Sequence, residues 1–341
     1  MMNLNETFVG VEPILTTLAQ GYMLPSNNIS NFIAPVVETP TRAGKILRFG
    51  KEAFAVGDYR RAYGANISAV QSRFDSDSYA LEQEVIAWEL AEEVIQNAGE
   101  GPAQIDLRMV ETRNAMNRLT TTHEKSVAEA VTVTGSYNPY ESGLGFETWT
   151  AMASGISGEG SAHWGASNSS PIKDVLTLKR LVAEHIGVRP NSAVIGTGLY
   201  DTLMTHPELL DRIKYTSRES IDTDLIGGYF GLNRGVRVAE GRYLANDNSL
   251  KPIFPEYGIL LFYSPGSVSD AVVPASGASN ANPAFAYTYQ LAGMPQVRPE
   301  YYIRERRVVR AEITVERIVN LVGLGATGKV GSGAMISHMA S

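Results

Sequence analysis

The sequence predicts an α+β chain, on three observations. Apolar residues recur at three- and four-residue spacing from Ile105 to Val131, the stripe of one long helix. Short helical and strand patterns alternate from residue 170 to about residue 265. A run from Tyr301 to Gly325 alternates apolar and charged residues, as long antiparallel strands with one solvated face do. With 341 residues, 44% of them hydrophobic and 19% charged, the chain can bury a sizeable core without disulfides or metals.

Residues 1–40 read as an N-terminal arm. Pro25, Pro35 and Pro40 prevent a continuous helix, yet Ile29, Phe32, Ile33, Val36 and Val37 are too apolar for a free tail. An arm lying extended against another surface satisfies both facts. Residues 41–78 read as an extended loop built on a hairpin. Its strands lie in AGKILRFGKEAF (43–54) and AVQSRFDSDSYALE (69–82), joined by the polar stretch GDYRRAYGANIS (57–68). An isolated two-stranded hairpin is marginal in water. It is therefore expected to project and to find its partner on a neighbouring subunit. Phe32, Lys45, Arg48, Lys51, Arg60 and Arg61 are the residues expected to make those contacts.

Residues 79–134 read as two helices. LEQEVIAWELAEEVIQNAG (81–99) sets Val85, Trp88, Val94 and Ile95 at helical spacing and stops at Gly99. Pro102 suits the start of the second helix. Met109, Thr112, Met116, Leu119, His123, Val127 and Ala130 form its inward stripe, and Arg108, Glu111, Arg118 and Lys125 its outer face. Such a helix would be roughly 40 Å long, a rib for a flat subunit.

Residues 135–298 read as an α/β block. Its first part is rich in Gly, Ser and Thr, with Phe146, Trp149 and Trp164 as anchors. A helix then enters at Ser170, buries Ile172, Val175, Leu176, Leu178, Val182 and Ile186, and ends at Gly187. SAVIG (192–196) is a buried strand, a helix breaks at Pro207, and DTDLIGGYFG (222–231) is a short helix. VRVAEGRYL (236–244) is a strand, and PEYGILLFYSP (255–265) holds a central one. Residues 266–300 read as loop. Residues 299–341 return to the domain of the long helix as strands and then a flexible Gly-rich tail, with 337–341 set outside the fold reading.

Chemistry is sparse. There is no cysteine, so disulfides and thiol chemistry are excluded. The five histidines are too scattered for a metal site. A net charge of −7 opposes tight wrapping of nucleic acid. No run of about 18 apolar residues could span a membrane, and the N-terminus lacks a signal-peptide pattern. GLGATGKV (323–330) imitates both dinucleotide and phosphate-loop motifs. Each needs a helix after it, and too little chain remains. No G-x-S-x-G elbow accompanies the Ser, His and Asp residues. His206, just before Pro207, reads as a local cap, His163 as a loop anchor and His123 as a core residue. Paired carboxylates such as Glu92 and Glu93, or Asp222 and Asp224, read as solvated faces and caps. Arg306, Arg307 and Arg310, near Glu305, Glu312 and Glu316, read as cross-strand ion pairs rather than a nucleic-acid site. No catalytic, cofactor or metal residue is assigned.

The ordered set of segments resembles the major capsid proteins of tailed phages, of the Hong Kong 97 type. FIAPVVETPTRAGKILRFGKEAF (32–54) resembles the entry from the arm into the extended loop, and FDSDSYALEQEV (74–85) the return from it. DLRMVETRNAMNRLTTTHEKSVAEAV (106–131) resembles the spine helix, with Glu124, Val127 and Ala128 near its end. The stretch from His163 to Tyr215 resembles the start of the axial domain. The resemblance implies a peripheral domain around the spine helix and an α/β axial domain. It implies a non-enzymatic subunit that builds pentamers and hexamers into an icosahedral shell around phage DNA. The implied partners are the chain itself, portal, scaffolding or decoration proteins, and double-stranded DNA bound without sequence preference. The implied location is the virion, assembled in the host cytoplasm. Some shells of this type form a Lys–Asn isopeptide, and no signature selects Lys45 or Lys51 for one. Two other readings are an encapsulin-like nanocompartment shell, which shares the fold, and an α/β nucleotide-binding enzyme.

Overall fold

The computed structural model describes residues 12–22, 28–49, 60, 74–97, 102–132, 164, 169–214, 221–264, 285–321 and 333–337. The helices in chain order are α1 (Pro13–Gln20), α2 (Ser30–Ile33), α3 (Glu92–Asn97), α4 (Pro102–Thr132), α5 (Pro171–Ile186), α6 (Thr197–Met204), α7 (Pro207–Ile213) and α8 (Thr223–Phe230). The strands are β1 (Val36–Thr39), β2 (Ala43–Phe49), β3 (Phe74–Ala80), β4 (Glu82–Ala91), β5 (Ser192–Gly196), β6 (Gly235–Ala239) and β7 (Arg242–Leu244). They continue with β8 (Leu250–Pro252), β9 (Gly258–Phe262), β10 (Ala286–Leu291), β11 (Gln296–Val297), β12 (Tyr301–Ile303), β13 (Val308–Leu321) and β14 (Gly333–Ser337).

β13 organises the larger sheet. Along one edge its 14 residues pair in turn with β12, β11 and β10, all antiparallel. Its other edge takes all ten residues of β4. β1 adds parallel to β10 and completes six strands. The α4 rib packs across this sheet. At about 1.5 Å per residue its 31 residues span roughly 46 Å. Thr112, Met116, Leu119, His123 and Val127 of the expected stripe are buried, and Ala128 and Val131 join them. Leu15 and Ala19 of α1 complete this core with Trp88, Leu90, Ala311 and Ile313.

The second sheet has the order β14-β9-β5-β6, with β5 and β9 buried along their whole length. Helices α5 to α8 pack on it through Val175, Leu178, Leu203, Leu209, Ile226 and Phe230. Trp164 anchors here as expected, its Nε1 donating to Asp174 Oδ2 at 3.0 Å. α5 ends where Gly187 turns left-handed, φ 76°, a conformation open to glycine at no steric cost. Lys179 Nζ donates to the Phe230 and Gly231 carbonyls at the C-terminus of α8, where a cation offsets the helix dipole.

Four expectations need correction. Residues 82–91 are strand β4, not helix. Trp88 and Leu90 alternate inward, and ten residues of pairing with β13 outweigh a local helical pattern. Residues 286–291, expected as loop, form the buried strand β10, and this strand belongs to the sheet of the long helix. Residues 333–337, expected within a flexible tail, pair with β9 in the other sheet. A Cβ on Gly333 would lie 2.5 Å from the Phe285 ring, so only glycine lets this strand come so close. Finally, residues 12–22 and 28–39 are not one extended arm. They form α1, α2 and β1 and fold back on their own subunit.

A third core cluster joins the two sheets. It combines Ile29, Phe32 and Ile33 with Val127 and Val131 of α4, Val194, Leu260 and Phe262 of the second sheet, Ala286 of the first, and Phe285 just before it. Val127 is fully buried within it. Val127→Asp should therefore lower stability by on the order of 4 kcal/mol, the cost of an unpaired buried charge. Thermal unfolding followed by circular dichroism checks this; wild-type-like melting would reject the assigned helix face.

Candidate assembly surfaces

Of the six residues expected to contact other copies, Phe32 belongs inside the subunit. It packs edge-on to Phe262 at 5.7 Å, and Arg234 lies over its ring at 4.8 Å while donating to its carbonyl. Its ring is buried in a core of its own subunit rather than offered to a neighbour. Lys45 is exposed on β2 and Arg60 is exposed. Arg48 sits in β2 opposite Asp75 of β3. Lys51 and Arg61 lie outside the described residues. The structure thus groups Lys45 and Arg48 on one hairpin strand.

Among the described residues that hairpin is a two-stranded sheet of β2 and β3 alone. Its root is fastened to the large sheet. The Arg42 guanidinium grips the buried Glu316 carboxylate of β13 at 2.7 and 2.8 Å. Tyr79 of β3 stacks flat on Tyr289 of β10, ring centres 4.8 Å apart. No local signal couples Tyr79 to Tyr289, which stand far apart in the chain, so sequence reasoning passes over them.

The arginine run does make cross-strand ion pairs, but with carboxylates of β4. Arg306 and Arg310 both bind Glu89, and Arg317 binds Glu84. The arginines beside it hold the Glu89 carboxyl below its ordinary range. Glu316 is taken by Arg42, and Glu312 accepts from Tyr301. These pairs fix the register of β4 against β13.

At the end of α4, Glu124 is buried and accepts from the Ile29 N–H at 2.9 Å and Asn28 Nδ2 at 3.3 Å. Burial raises its carboxyl above the ordinary range, while the Ile29 N–H pulls the other way. A carboxylate here satisfies the backbone of α2 where it meets the rib, which explains a Glu in that helix position. His123 beside it is a core residue, as expected, 3.4 Å from Thr288 Oγ1. Burial, with the charge of Arg317, lowers its pKa to about 3.

One Ser–His contact invites a catalytic reading. Ser169 Oγ lies 2.9 Å from His206 Nε2, and both are buried. His206 Nδ1, however, accepts the Glu208 N–H, capping α7. The ring proton is then on Nε2, which donates to the serine and cannot take its proton. Among the described residues no cluster of side chains could hold a metal ion, and no helix is long and apolar enough to cross a membrane. GLGATGKV lies outside the described residues, but the element after it is strand β14, not the helix a phosphate site needs.

Residues 72–292 match the model of the phage major capsid protein E family, and the chain belongs to that family. Phage capsid proteins are structural proteins, and this chain is one by family. It is 27% identical, over 84% of its own length and 85% of the relative's, to the major capsid protein of Burkholderia phage BcepMu. The fold is similar to the crystal structure of a phage-related protein from Bordetella bronchiseptica RB50. There the TM-score is 0.72 at 26% identity, covering 96% of this chain and 97% of the other. A capsid protein of this family is a component of the virion.

His123 makes stability depend on pH. Its folded pKa lies below the unfolded value of about 6.5, so its neutral form stabilises the fold above that value. The contribution is lost as pH falls from about 6.5 toward about 3, at up to ~1.4 kcal/mol per pH unit. Denaturant midpoints from pH 7 to 4 should fall less steeply for His123→Gln than for the wild type. Equal slopes would show that His123 does not titrate with folding.

Proposed function

We propose that copies of this chain join as pentamers and hexamers into an icosahedral shell of the Hong Kong 97 type that encloses phage double-stranded DNA. The observation that carries this reading is the β2–β3 hairpin. Its strands pair with each other and with no other strand among the described residues, yet its root is bolted to β10 and β13. A rigid root beneath a marginal two-stranded extension suits a part that is completed by a neighbouring copy. In this reading the six-stranded sheet and α4 form the peripheral plate, and the β14-β9-β5-β6 sheet with its helices forms the axial domain. Portal, scaffolding and decoration proteins are the further partners, and the shell is assembled in the host cytoplasm. The net charge of −7 suits a container that holds DNA without adhering to it. Family membership and the phage relative favour this shell over a cargo-filled nanocompartment, and β14 after the Gly-rich motif disfavours a nucleotide-binding enzyme.

Deleting residues 50–65 tests the role of the hairpin. The variant should stay soluble and folded, with an unchanged melting temperature, and assemble poorly by light scattering and negative-stain microscopy. Normal closed shells from this variant would refute the hairpin's role.

A further inference from the structure

A second hairpin carries its own argument, which rests on the shell reading. β7 and β8 also form a sheet of two strands that pair with no third among the described residues. The root is fixed. The Ile253 N–H donates to the Gly241 carbonyl at 2.9 Å, Arg242 meets Glu256 at 3.4 Å, and Lys125 Nζ stands 4.5 Å over the Tyr243 ring. Leu244 and Leu250 face each other across the strands at the far end. At 62% and 64% they are the most exposed large apolar side chains among the described residues. They bury little in the subunit, and paired leucines in water are a liability unless something covers them. The turn between them presents Asp247, held by Ser249 and by Lys251 at 2.9 Å and still half exposed.

The complementary shape lies elsewhere on the same chain. A groove of about 320 Å³ runs between α5 and α7. Ile172 and Leu176 give it apolar walls, and Leu176 is 51% exposed. Lys173, Arg180 and Arg212 line it with the carboxylate of Glu208, and Arg180 also meets Glu184 at 3.7 Å. We propose that the Leu244–Leu250 tip of one copy seats in the α5–α7 groove of a second copy, with Asp247 facing the cationic rim. The tip is convex, apolar and acidic at its apex; the groove is concave, apolar and basic at its edge. Because tip and groove are different patches, the contact is head-to-tail and repeats around a ring. Each contact is small, and it gains strength by repetition.

The absence of native cysteine makes the test clean. Leu250→Cys and Leu176→Cys are placed in the full chain singly and together, and assembly is followed by light scattering before oxidation. The double variant should yield a ladder of covalent oligomers on a non-reducing gel. A mixture of the two single variants should yield dimers, and each single variant alone only monomer. In parallel, the double variant Leu244→Ser/Leu250→Ser should slow assembly at least tenfold with no change in melting temperature. If particles form but the Cys double variant stays uncrosslinked, or Leu250→Cys pairs with itself, the tip-in-groove contact is overturned and the shell reading stands. Undiminished assembly of the Ser variant also overturns it. Absence of any multimer from the wild-type chain overturns the shell reading, and this contact with it.

Discussion

The structure depends on the apolar seam where its two sheets meet. Ile29, Phe32 and Ile33 fill that seam between the end of α4, the inner face of β5 and β9, and Phe285. Burying three such side chains contributes several kcal/mol, roughly 1.5–3 for each. It also fixes the angle between the sheets. Glu124 holds the backbone of the inserted segment from below, and β1 then runs out parallel to β10. Without this wedge the plate and the α/β block would share little except covalent connection and the end of the rib. A subunit that must repeat one shape many times needs that angle to be stiff.

Much of this was legible wherever the determining contacts are local. The stripe of α4, the Gly187 stop of α5, the unbroken apolar words of β5 and β9, and the His206 cap all follow from residues within a turn or two of each other. Failures share one cause. Val85, Trp88 and Ile95 fit a helix locally, and only β13, remote in sequence, makes residues 82–91 a strand. AYTYQL, within a stretch rich in Ala, Pro and Gly, is a strand because β1 and β13 flank it on both sides. Phe32 sits among prolines like a hook for a neighbour, but its pocket is assembled from several remote segments of its own chain. Of the expected contact residues, Lys45 and Arg48 lie on strand β2, and the fastening of the hairpin's root by Arg42, Tyr79 and Tyr289 was invisible.

Residues that suggest chemistry serve geometry here. The Ser169–His206 pair caps a helix, and Lys179 closes another at its opposite end. Arg310 and Arg317 set the register of two strands. In each case the hydrogen-bond partner, not the residue type, decides the role. A ring whose Nδ1 is occupied by a backbone N–H has lost the freedom a general base requires.

Both sheets draw strands from distant parts of the chain: β4 pairs with β13, and β5 and β9 share a sheet with β14. On the ribosome, β4 therefore emerges long before the strand that covers its edge, and the second sheet lacks its outer strand until residues 333–337 appear. The large sheet cannot close until residues 308–321 have been made, and the seam stays open with it. Long-range pairing of this kind makes folding slow and leaves sticky edges in the interim. A chain cut short before residue 308 would lack the central strand altogether. It would leave β4 without its partner strand and Arg42 without the Glu316 that fastens the hairpin root.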